Sequence, residues 1–155
     1  MKENVTSQRY SKGETKVVFR FPASPDAPGR ARLAAENMLQ DNYAELMETS
    51  LLLVSELVTN SVRHGRLGPD KYIELKIAAF ANGVKIDVVD PGTGFSYQPR
   101  KGALDRVGGW GLYMVEQLSH RWGVNEGFPT TVWFELQKPS RERSYGNGAP
   151  RSSSH

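Results

Sequence analysis

The chain has 155 residues, 38% of them hydrophobic and 24% charged, and no cysteine. That suits one globular domain with its own core and excludes disulfides, thiolate metal sites and a cysteine nucleophile. The formal charge of +3 comes from the end of the chain, where Lys138, Arg141, Arg143 and Arg151 face only Glu142, while residues 1 to 137 balance at 16 basic and 16 acidic. Direct nucleic-acid binding is therefore not expected, because it needs basic residues clustered on the fold. No apolar run approaches the ~18 residues of a membrane span, and the first residues lack a signal-peptide core. The expected compartment is the cytoplasm, with no membrane contact. His64, His120 and His155 are scattered without metal-ligand spacing.

In chain order, residues 1 to 15 are polar and aperiodic and predict a frayed, flexible N-terminal arm. Lys16 to Pro22 alternates, with Val17, Phe19 and Phe21 on one side, and predicts a half-buried strand. Ser24 or Asp26 is placed to cap a helix over Arg30 to Leu39, and Asp41 to cap a longer one running to about His64, with Gly65 closing it. Two strands follow, Tyr72 to Phe80 and Val84 to Val89, joined through Ala81, Asn82 and Gly83, where Asn-Gly is a hairpin signal. Residues 96 to 107 predict a mobile loop. An apolar helix then runs from Leu112 to about His120, and two strands close the pattern near Trp122 to Asn125 and Thr131 to Gln137. Residues 138 to 155 form a basic Ser/Gly/Pro-rich tail expected to be disordered. This order predicts an α/β two-layer sandwich over residues 16 to 137, one sheet with helices on one face.

Three constellations carry chemistry. Glu56 and Asn60 lie four apart in LLLVSELVTNSVRHG, which puts both on one helix face, a turn apart, within an apolar run. Buried without partners they would cost a few kcal/mol, roughly, so a polar group is expected opposite them. An amide oxygen at Asn60 is a hard ligand suited to Mg²⁺, and Glu56 could act as a general base. Read alone, the pair also fits a solvated helix face. Asp90, followed by Gly92 and Gly94, places a carboxylate at a strand end, where it can accept hydrogen bonds from an exocyclic amine; a plain glycine turn reads equally well. Gly108, Gly109, Trp110, Gly111 and Leu112 open a helix whose N-terminal amides can face phosphate, or serve as a hinge. Taken together, the three supply metal, base and phosphate contacts, the set required by phosphoryl transfer.

ELVTNSVRHG, VVDPGTGF and GGWGLYMVEQL resemble the N, G1 and G2 boxes of the GHKL superfamily. The resemblance covers roughly residues 16 to 137. Within that superfamily the compact size and the wording around Glu56 resemble anti-sigma-factor serine kinases of the RsbW and SpoIIAB type, particularly those abundant in actinobacteria. The resemblance implies a Bergerat-type ATP fold with a mixed, mostly antiparallel sheet. It implies that Glu56 is the catalytic carboxylate and that Asn60 holds Mg²⁺. Asp90 would bond the adenine amine, with Gly92 and Gly94 lining the base. Gly109 and Gly111 would meet the phosphates, with Leu112 also among the cofactor-binding residues, below a lid over residues 95 to 108. Thr130 or Thr131 would back the adenine, Thr130 fitting the family's Thr-x-Val form better. Trp110 stands where relatives often carry a polar residue, and Phe128-Pro129 replaces the glycine usual before the late threonine. The resemblance further implies a homodimer that binds a sigma factor and phosphorylates a STAS-type antagonist. The alternative is a nucleotide-gated binding module without kinase activity.

Overall fold

In the computed structural model the structure describes residues 4–10, 13–64, 70–92 and 110–140. Among the described residues nine elements are present: β1 (Asn4–Tyr10), β2 (Glu14–Pro22), α1 (Ala27–Leu39), α2 (Ala44–His64), β3 (Tyr72–Phe80), β4 (Gly83–Asp90), α3 (Trp110–Leu118), β5 (Arg121–Asn125) and β6 (Thr130–Gln137). The strands form one sheet in the order β1-β2-β3-β4-β6-β5. All five pairings are antiparallel, where a partly mixed sheet was expected.

Period-two alternation decides which face of the sheet the helices cover. Phe21, Ile73, Leu75, Ile77, Val84, Ile86, Phe134 and Leu136 are all buried, and the strand register puts them on one face. Against that face lies α1, through its small residues Ala27, Ala31, Ala34 and Ala35, and α2, through Leu53, Val54, Leu57 and Val58. Each fully buried Leu or Phe in this layer contributes roughly 1.5–3 kcal/mol. The opposite face mixes ion pairs with apolar residues such as Val18, Val89 and Trp133. Arg20 pairs with Glu74 at 3.4 Å, Lys85 with Asp87 at 3.4 Å and Arg121 with Glu135 at 3.7 Å.

One end of α2 is fastened to the β3–β4 hairpin. The Tyr43 hydroxyl donates to the Phe80 carbonyl at 2.8 Å. Lys138 donates its backbone N–H to the Asn82 carbonyl at 2.7 Å and its Nζ to the Asn42 carbonyl at 2.5 Å. Its ammonium also lies 4.5 Å from the Tyr43 ring centroid and 3.8 Å from a Glu45 carboxylate oxygen. Lys138 is thus built into the domain, although the sequence reading assigned it to the tail; residues 141–155 of that tail lie outside the described residues.

Four further expectations are corrected. Within the stretch read as a frayed arm, Asn4–Tyr10 pairs with β2 over seven positions. As an edge strand it needs backbone pairing on one side only and little apolar alternation. Asp41 does not cap α2, which begins at Ala44; the Tyr43 carbonyl accepts from Leu46 N–H at 2.9 Å instead. Asp26 does sit at the N-cap of α1, but without a side-chain cap bond. Its carboxylate accepts from the Ser24 hydroxyl and pairs with Arg30 at 3.0 Å, which hold its pKa below the usual range. The hairpin turn is Ala81-Asn82, and Gly83 pairs with Phe80 as the first residue of β4.

Gly83 is needed for space. A Cβ there would stand 2.3 Å from the Leu136 carbonyl oxygen and 2.9 Å from the Phe80 ring. Gly83→Ala should destabilise the protein by about 1–3 kcal/mol through overpacking against backbone. Ser50 is fully buried, and its hydroxyl has no hydrogen-bond partner among the described residues. Ser50→Ala should therefore leave stability unchanged or raise it by up to ~1 kcal/mol. Urea denaturation of the two variants checks both signs; a large loss for Ser50→Ala would show that the hydroxyl is satisfied.

Candidate nucleotide site

Starting from the fastened end, α2 from Ala44 to Asn60 rises about 24 Å at 1.5 Å per residue. From Gly83 to Asp90, β4 advances about 24 Å at 3.4 Å per residue. The two lengths match, so an α2 packed along β4 would carry Asn60 toward the end of the sheet where Asp90 lies. Asp90 pairs with Thr130, the first residue of β6, and Val88 with Val132. Asp90 and Thr130 therefore share the helix-covered face with Ile86 and Phe134. Thr131 pairs with Val89 and faces the other side, which leaves Thr130 as the threonine beside Asp90.

Glu56 and Asn60 are both half-buried on α2, and the polar neighbour expected opposite them begins with the backbone of α3. A Cβ placed on Gly111 would lie 2.6 Å from Asn60 Nδ2 and 3.5 Å from Glu56 Cβ. Only a residue without a side chain lets the first turn of α3 approach α2 this closely. Gly111 is itself buried. The contact joins the Glu/Asn helix to the glycine-rich helix start, two motifs some fifty residues apart in sequence. With Nδ2 turned to Gly111, the other end of the Asn60 amide is its hard oxygen.

The Asp90 turn is closed locally. Gly92 N–H donates to Asp90 Oδ1 at 2.7 Å, which fixes the carboxylate and leaves Oδ2 as its second acceptor. Thr130 is 2% exposed, and its hydroxyl donates to the Gly127 carbonyl at 2.9 Å. That orientation was not legible from sequence, since the hydroxyl bonds across a turn in which Gly127 adopts φ +138°. Leu112 is half-buried and packs on the core, so it anchors α3 as well as bordering the site. Val115, one turn further, is fully buried beneath it.

Gly65, Gly94, Gly109 and the lid expected over residues 95 to 108 lie outside the described residues, as do the side chains of His64 and Trp110. His64 is the last residue of α2. Among the described residues no group of three His, Cys, Asp or Glu side chains converges as a metal site. A lone amide oxygen beside one carboxylate, next to a helix start, fits Mg²⁺, which keeps several waters and takes few protein ligands plus phosphate. A separate groove of about 310 Å³ runs between β2 and α1, lined by Val17, Phe19, Leu33, Ala34 and Met38 with Arg30 and Asn37. It contains none of the residues singled out from sequence. Among the described residues no helix is long and apolar enough to cross a membrane.

Comparison with known proteins agrees with this architecture. The family described as "Histidine kinase-like ATPase domain" matches residues 21–135. Two curated relatives are similar over most of that span. A serine-protein kinase RsbW of Listeria monocytogenes (strain EGD-e) is 30% identical over 118 aligned positions, covering 66% of this chain and 74% of the relative. The serine-protein kinase RsbW of Staphylococcus epidermidis is 30% identical over 117, with the same coverage. The antiparallel sheet with its helices on one face and the span of the family match lead to one assignment: the chain belongs to the histidine kinase-like ATPase domain family, within the GHKL superfamily.

Proposed function

We propose that this protein binds ATP with Mg²⁺ and transfers the terminal phosphoryl group to a serine or threonine of a partner protein, acting in the cytoplasm as an anti-sigma factor. The observation that carries this reading is the seat of Gly111 on Asn60 and Glu56, at the end of the domain where Asp90 and Thr130 pair. Further support comes from the 30% identity to RsbW serine-protein kinases. In this reading the phosphorylated partner is a STAS-type antagonist, a sigma factor is the sequestered one, and the protein works as a homodimer.

Each residue then has one task. Asp90 Oδ2 accepts from the exocyclic amine of adenine while Oδ1 stays bonded to Gly92, and Thr130 backs the base. Gly92 and Gly94 let the base approach the backbone. The amides around Gly109 and Gly111, at the N-terminus of α3, face the phosphates. The Asn60 side-chain oxygen would hold Mg²⁺, which when bound neutralises charge developing on the transferred group. Glu56, one turn before Asn60, takes the proton from the attacking hydroxyl. Orientation of the hydroxyl and phosphate supplies the rest of the acceleration.

Incubation with labelled ATP and a candidate STAS protein tests the assignment. Glu56→Ala should lower phosphoryl transfer by ~10²–10⁴-fold, the usual contribution of a general base. Undiminished transfer would remove Glu56 from the mechanism. Nucleotide binding with tight partner capture but no transfer by the parent protein would favour the nucleotide-gated module.

Gly111→Ala separates site from fold. The new methyl would displace the Asn60 amide, the end of a side chain that can move, so stability should change by only about 1 kcal/mol. Affinity for ATP with Mg²⁺, measured by calorimetry, should fall at least tenfold, about 1.4 kcal/mol. Unchanged affinity would mean that Asn60 does not serve the nucleotide.

A further inference from the structure

Among the described residues Phe128 is the most exposed large apolar side chain, at 78%, compared with 58% for Leu33 and 51% for Tyr113. Single exposed apolar residues are ordinary on a protein surface. What sets Phe128 apart is where its backbone is held. It lies in the turn between β5 and β6, between Gly127, with φ +138°, and Pro129, whose ring fixes the next φ. The Thr130 hydroxyl spans this turn to the Gly127 carbonyl at 2.9 Å. Thr130 is buried and paired with Asp90. Chain geometry keeps the Phe128 Cα within about 7 Å of the Thr130 Cα, so the turn carries an exposed ring within reach of the Asp90 and Thr130 pair.

That pair is polar and addresses an edge. The Asp90 carboxylate accepts hydrogen bonds in the plane of a base, and the Thr130 hydroxyl is already directed to backbone. Neither can grip the flat face of a planar heterocycle, which calls for an aromatic or apolar plane. Phe128 supplies an aromatic plane from a turn restrained by the Pro129 ring and by the Thr130–Gly127 hydrogen bond.

We infer that Phe128 is an aromatic lip of this site, packing on the purine face of the bound nucleotide and setting affinity for it. The inference rests on the nucleotide reading above and adds a base-contacting residue to it. Because the ring is solvent-exposed, replacing it leaves the core untouched, and the variants Phe128→Ala, Phe128→Leu and Phe128→Tyr should melt with the parent.

Calorimetry on the full chain with ADP and Mg²⁺ tests it, with Asp90→Asn as the reference for the site itself. Phe128→Ala should weaken binding about 5- to 30-fold, the range of base–aromatic stacking. Phe128→Tyr should restore parental affinity and Phe128→Leu should not. Parental affinity in Phe128→Ala or Phe128→Leu, with loss in Asp90→Asn, would overturn the lip and leave the site standing. Failure of the parent to bind ADP would overturn both. Parental nucleotide affinity in Phe128→Ala together with lost capture of a protein partner would assign the ring to docking and overturn the inference.

Discussion

The close approach of α3 to α2 at Gly111 is the contact on which the rest of the site depends. It requires a missing side chain at one position and a half-buried amide at another, and it brings the amides of a helix start beside the Glu56 and Asn60 turn. A helix N-terminus alone is a weak anion attractor, and an i,i+4 polar pair alone is an ordinary helix face. Packed together they place positive dipole, carboxylate and amide oxygen within one small volume. Val115 and Leu112 explain why α3 stays there: the apolar side of this short helix is buried in the same core as α2. The cost of a half-buried carboxylate and amide is thus set against packing that the core supplies anyway.

The position of that volume is fixed from the far end of the domain. Tyr43 and Lys138 tie the start of α2 to the hairpin turn, and matched helix rise and strand rise would carry Asn60 toward the level of Asp90. Moving the anchor by one helical turn would shift Asn60 by about 5.4 Å relative to Asp90, enough to separate the two halves of the proposed site. The hydrogen bonds at the hairpin are each modest, about 0.5–1.5 kcal/mol. Their effect on the site is geometric, through register, more than energetic.

Much of this was legible in the sequence. The β3 and β4 strands and the long helix ending at His64 follow from periodicity, and the helix face shared by Glu56 and Asn60 follows from their spacing. Other features depend on tertiary partners that a local pattern does not carry. NVTSQRY has almost no apolar alternation, and it becomes a strand because β2 offers its backbone edge. Gly83 looked like a turn residue and is a packing residue, because Leu136 passes directly above it. Asp41 had the chemistry of a cap but lies two residues too early. The resemblance favours Thr130 over Thr131 by its Thr-x-Val form, and strand register separates them physically, since adjacent residues face opposite sides of a sheet.

Asn60, Asp90 and Gly111 are proposed to bound one nucleotide pocket. Nitrogen-resolved NMR during titration with ADP and Mg²⁺ tests it most directly, because the Asn60 side-chain amide and the Gly92 and Gly111 backbone amides each report on a different wall. The account predicts that all three resonances move together and saturate at one ligand per chain. Resonances that stay in place while others move along the groove between β2 and α1 would contradict it.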